Sequence, residues 1–100
     1  MMRGTTPTHV FTLPFETSLI SKFRIIYAQG KKRILVKENE DCTFRGNTVT
    51  VRLSQVETFL FDHMKHVEIQ LRALTTGGDV LNSKIMMARP DRCLDDEVME

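Results

Sequence analysis

Apolar and polar positions alternate along this chain more clearly than they follow any other pattern. From Thr48 to Leu53, Val49, Val51 and Leu53 take one side and Thr48, Thr50 and Arg52 the other. Val67, Ile69, Leu71 and Ala73 alternate in the same way with His66, Glu68, Gln70 and Arg72. A period of two is the signature of a strand with one face buried. Between these segments, Leu53 to Phe61 breaks the period, and Ser54 and Glu57 have the spacing of a capping box. One short helical turn is therefore predicted near residues 54–60.

The remaining segments add shorter strands. Phe11, Leu13 and Phe15 alternate with Thr12 and Pro14, and Pro14 places that strand at an edge or at its end because it cannot donate to a ladder. From Leu19 to Ala28, Phe23, Ile25 and Tyr27 share one face, opposite Lys22, Arg24 and Ile26. Gln29-Gly30-Lys31-Lys32 is a hairpin turn, because Gly30 tolerates a positive φ, and Arg33 to Lys37 returns as a strand. Cys42-Thr43-Phe44 is a small strand, Arg45-Gly46-Asn47 a turn, and Thr75 to Asp79 a strong turn signal. Val80 to Ala88 closes a hairpin, with Ile85 and Met87 on its inner face.

Frequent turns, short strands and no long 3.6-residue period predict an all-β sandwich. The predicted core is Phe11, Leu13, Phe23, Ile25, Tyr27, Val49, Val51, Leu53, Phe61, Val67, Ile69, Leu71 and Ile85. The spacing Leu53-x-x-x-Glu57-Thr58-x-x-Phe61 resembles the corner before the F strand of immunoglobulin-like domains, which implies a sandwich of about seven strands. Phe61 stands where that corner requires a tyrosine hydroxyl. We divide the chain into a flexible segment 1–7, a sandwich 8–90 and an acidic tail 91–100.

Composition changes this picture little. At 100 residues the chain is one domain, 41% hydrophobic and 27% charged, as an ordinary folded chain is. A formal net charge of +1 gives no electrostatic reason to expect nucleic acid or an anionic membrane. No apolar run approaches the roughly 20 residues of a membrane span, and residues 1–7 lack a signal-peptide core. We expect a cytoplasmic product on expression, in which Cys42 and Cys93 remain reduced thiols.

Candidate chemistry is sparse. His63 and His66 are near neighbours, but no further ligand has metal-site spacing. Glu38, Glu40 and Asp41 sit in a polar turn, where desolvation cannot tune a carboxyl for acid–base work. No serine occupies a Gly-x-Ser-x-Gly elbow, and Gly77-Gly78 lacks the residues that complete a phosphate loop. We therefore expect no enzyme, no cofactor and no metal. Lys31, Lys32 and Arg33 form a basic hairpin tip extended by Lys37. That tip suits a solvated turn better than a nucleic-acid surface, since stacking aromatics are missing beside it. Ile26, Leu35 and Met86 are candidates for outward apolar positions, and with Lys31, Lys32 and Arg33 they make up the predicted interaction surface.

Four segments carry a wider likeness: Thr8 to Phe15, Ile26 to Gly30, Glu57 to Phe61, and Val67 to Gly78. With Cys93-Leu94-Asp95-Asp96-Glu97-Val98, they resemble small proteins of about this length encoded in prophages and related mobile elements of Gram-positive gut bacteria. Arg89-Pro90-Asp91 departs from that pattern where the last strand would continue. The resemblance implies a phage structural or assembly protein, associated with tail or baseplate and placed in the virion. It would work by contacts with itself or other phage structural proteins. Alternatives are a small carbohydrate- or ligand-binding module and a nucleic-acid accessory protein using Lys31 to Arg33.

Overall fold

The computed structural model describes residues 1–95 and 97–100 of the chain. Eight strands are present among the described residues: β1 Thr8–Thr12, β2 Ile20–Gln29, β3 Lys32–Glu38, β4 Cys42–Arg45, β5 Thr48–Arg52, β6 Val67–Thr75, β7 Val80–Asn82 and β8 Met86–Ala88. They form two antiparallel sheets, β1-β5-β4 and β3-β2-β6-β7, with β8 also paired to β6. The chain crosses between sheets after β1, β3 and β5, turns back as hairpins after β2, β4 and β6, and runs on from β7 to β8 along the same side of β6. These orders are the B-E-D and C′-C-F-G sheets of an immunoglobulin-like sandwich, with no strand in the A position among the described residues. No helix among the described residues is long and apolar enough to cross a membrane.

Alternation puts the core between the layers. Phe23, Ile25 and Tyr27 from β2 and Val67, Ile69, Leu71 and Ala73 from β6 face Val49 and Val51 from β5, with Leu13, Leu53 and Phe61 completing the cluster. Phe23 meets Phe44 edge-on across the sheets, with ring centroids 5.6 Å apart. Of the predicted core residues, Phe11 is half-buried and packs against the cluster from the edge strand β1, opposite Val49. Ile85 is 56% exposed, and Met87 points outward, because the returning arm is two strands rather than one. Ser83 makes that break. Its N–H donates to the Leu71 carbonyl (2.9 Å) and its hydroxyl accepts from the Leu71 N–H (2.9 Å). Past the break the register pairs Met86 with Ile69, so Met86 and Ala88 turn inward.

The predicted corner is α1, Gln55–Phe59. The Ser54 hydroxyl accepts from the Glu57 N–H (3.1 Å), and the Glu57 carboxylate accepts from the Ser54 N–H (2.8 Å). The β2–β3 hairpin turns on Gly30 and Lys31, both with positive φ (55° and 67°), as a two-residue I′ turn requires.

The two ends of the sandwich differ. At the α1 end lie the starts of β1 and β6, the β2–β3 hairpin and residues 1–7. The Thr58 hydroxyl accepts from the Gly4 N–H and lies 3.0 Å from the Thr5 carbonyl. Met2 bridges Asp91, and Leu53 N–H donates to the Pro7 carbonyl. Gly4 sits so close to the Phe59 ring that an added Cβ would lie 2.7 Å from it. The acidic-tail assignment includes Asp96, which lies outside the described residues.

Candidate interaction surface

The opposite end is open. β1 stops at Thr12, and the chain leaves the sheet through Leu13, whose N–H donates to the Asn47 carbonyl (2.7 Å). On the other layer β7 has three residues before the Ser83 break. Neither margin closes over the core there. The result is an apolar cleft of about 270 Å³, walled by Leu13, Phe15, Leu71 and Leu81 and floored by Phe23 and Ala73. Asn82 and Ser83 are its polar residues, and Ser83 already bonds to Leu71. No titratable side chain lines it. Such a site suits an apolar side chain or ligand; its one hydroxyl, on Ser83, accepts from the Leu71 N–H and donates to the Lys84 carbonyl.

The titratable groups inside the sandwich are gathered toward the α1 end. Lys37, opposite Ile25 on β3, points inward and pairs with Glu57 at 2.5 Å. Burial alone would raise the Glu57 pKa, but hydrogen bonds from Lys37 and Ser54 outweigh it and hold the carboxyl below its usual value. Cys42, opposite Val51 on β4, is pushed up to about 11 by burial and by nearby Asp41, so its thiol stays protonated and unreactive at neutral pH. The Tyr27 hydroxyl is 2.8 Å from His9 Nδ1. Burial raises the Tyr27 pKa, and the charges of Cys42 and Glu57 add to it. Burial, and then the positive chain terminus, lowers that of His9. These shifts favour a charged Glu57 and neutral His9, Tyr27 and Cys42 near pH 7.

The six residues predicted as an interaction surface do not share one face. Lys31, Lys32 and Arg33 are exposed on the β2–β3 hairpin. Ile26 is on the outer face of the larger sheet, half-buried between Val36 and Gln70. Leu35 pairs with Tyr27 and Met86 with Ile69, and both pack against the core. The β-bulge after Tyr27 on the β2–β3 pair resets which residues of β3 face inward, and a plain alternation cannot foresee it. Lys37, expected to extend the basic tip, is turned away from it for the same reason. His63 is half-buried and His66 exposed; among the described residues no group of three or more His, Cys, Asp or Glu is placed to hold a metal ion.

Sequence reasoning missed two structural residues. Gln29 is 5% exposed; its amide donates to the Asp62 and Lys65 carbonyls and accepts from the Asp62 N–H (2.8, 3.0 and 2.9 Å). It ties the turn after Phe61 to β2. Its signal was legible, since Gln29 continues the inward series of Phe23, Ile25 and Tyr27. Thr58, fully buried, anchors residues 4 and 5, and the corner spacing marked its position without its role. No protein-family model, curated protein or solved structure matches the chain.

Proposed function

We propose that this chain is a non-catalytic assembly protein of phage or prophage origin that works by protein–protein contacts. The observation that carries the reading is the apolar cleft between the open sheet margins, a cavity suited to an inserted side chain and without a reactive group. The resemblance of Thr8–Phe15, Glu57–Phe61 and Val67–Gly78 to prophage-encoded proteins supports the origin, and with it a final place in a virion. The partners are further copies of the chain or other phage structural proteins.

Light scattering on the purified protein tests this reading, together with calorimetric titration against the purified products of the flanking genes. Association in either experiment supports it. A monomer up to millimolar concentration that ignores those products overturns it. The same cleft favours one second reading, a module that binds a small apolar ligand. Its volume lies near the lower end of ligand pockets, roughly 300 Å³. A carbohydrate platform is poorly served, because the chain has no Trp and a single Tyr, which is buried. The basic hairpin reading requires a salt-dependent DNA mobility shift that disappears when Lys31, Lys32 and Arg33 are all changed to Ala.

A further inference from the structure

We infer that two copies of the chain pair through the outer edge of β1, antiparallel about a two-fold axis at Val10, so that their smaller sheets join into one. The inference extends the assembly reading to a second surface and does not use the cleft. Three observations carry it.

First, β1 holds the place of strand B, and among the described residues no strand lies beside it in the A position. Its bonds to β5 show which groups are left over. The Leu53 N–H donates to the Pro7 carbonyl (3.0 Å) and the Leu13 N–H to the Asn47 carbonyl (2.7 Å). In that register His9 and Phe11 also bond to β5, and the backbone groups of Thr8, Val10 and Thr12 point away from the sheet. Among the described residues nothing bonds to these three N–H and three C=O groups.

Second, this edge is unguarded and the others are not. On β3 lie Lys32, Arg33, a bulge against the Tyr27–Ala28 step and the inward Lys37. β4 has four residues and ends in Arg45, and β7 and β8 have three each. Charge, bulges and shortness are what keep an edge from pairing. β1 runs five residues in unbroken register without a Lys, Arg, Asp or Glu, and Val10 at its centre is 60% exposed.

Third, the segment is its own complement. Laid antiparallel on a second copy, Thr8-His9-Val10-Phe11-Thr12 sets Thr8 against Thr12, His9 against Phe11 and Val10 against itself. Every outward N–H and C=O of one copy then meets its counterpart on the other. β-branched Thr and Val pair across the outer face, and His9 packs beside the second copy's Phe11 on the inner one. A slide of two residues one way sets Thr8 against Pro14, which has no N–H, and the other way carries Thr12 past the start of β1. The patch meets itself, so the contact is isologous and closes at two copies. Interfaces under roughly 1,200 Å² are weak, and a contact of one short strand a side belongs among them.

Light scattering on wild type is expected to show mass rising with concentration to a dimer and no further. Val10→Lys and Val10→Glu change an exposed side chain and set like charges together across the axis. Each alone is expected to be a monomer, and their equimolar mixture a dimer again. In wild type, amide exchange at Thr8, Val10 and Thr12 is expected to slow as concentration rises, while His9 and Phe11, already bonded to β5, change little. That readout needs no variant to fold. If either Val10 variant dimerises alone as readily as wild type, the inference is overturned. So it is if wild type self-associates while those three amides keep the monomer's exchange rates, although the assembly reading then stands. A wild type that stays monomeric to millimolar concentration also overturns it and leaves the assembly reading to the titration against flanking gene products.

Discussion

The two ends of this sandwich solve the same problem differently. At the α1 end, where the layers would otherwise gape, Phe61 plugs the core against Tyr27 (ring centroids 5.9 Å apart), Gln29 ties down the following turn, and Thr58 binds residues 4 and 5 across the gap. At the other end β1 and β7 stop short and an apolar cleft remains. Closure at the α1 end uses the buried, hydrogen-bonded side chains of Gln29 and Thr58, and the end without such groups stays open. Buried polar ties are concentrated at one end, and the proposed recognition surface lies at the other.

The largest expected effect tests the plug. Phe61→Ala should destabilise by about 3–5 kcal/mol, from lost transfer energy plus the cavity. Leu81→Ala at the open end should stay within about 0.5 kcal/mol, as exposed positions do. Urea denaturation of both variants measures the gap between them, and equal losses would abolish the contrast.

Gln29→Leu should cost about 1–3 kcal/mol, because it leaves the Asp62 N–H and the Lys65 carbonyl unpaired and the Asp62 carbonyl with only its bond from the Lys65 N–H. Hydrogen exchange in that variant should speed up around residues 62–65 before it does near Leu81. Uniform acceleration would mean that the turn is not a separate unit.

Acid should act on the closed end in two steps. His9 has a folded pKa below its ordinary 6.5, so the unfolded chain takes up the proton first and stability falls as pH drops below about 6.5. The folded pKa of Glu57 lies below its ordinary 4.5, so its contribution is present above about pH 4.5 and is lost as pH falls through the folded value. Melting temperature against pH for wild type, His9→Gln and Glu57→Gln should assign the upper and lower steps. An unchanged lower step in Glu57→Gln would show that other carboxylates carry it.

The smallest effect is a gain. Lys31 carries a positive φ that a side chain resists, so Lys31→Gly should stabilise by up to about 1 kcal/mol. A loss in the melt would mean that the lysine side chain makes up for its backbone strain.

Much of this was legible in the chain. The buried series on β5 and β6, the Ser54–Glu57 cap and the Gly30 turn all follow from local chemistry, and the structure has each where the pattern predicts it. The outer strands were harder to read. A bulge after Tyr27 reversed the facing of Leu35 and Lys37, and the Ser83 break reversed Ile85 and Met86. Both irregularities lie on strands at the margin of the larger sheet, where one partner rather than two sets the register. The cleft could not be read from periodicity at all, since it arises where two strands end, and each of its apolar walls looks like ordinary core in sequence.

The Ser83 break has one more effect. At Ser83 the outer edge of the larger sheet is divided into two three-residue strands, β7 and β8, so a foreign strand finds no long continuous row of rungs on that flank. Addition of one backbone to another, the route by which sandwiches stack into fibrils, is obstructed there. Molecules crowded together can then meet on that flank through side chains, reversibly, without their larger sheets fusing.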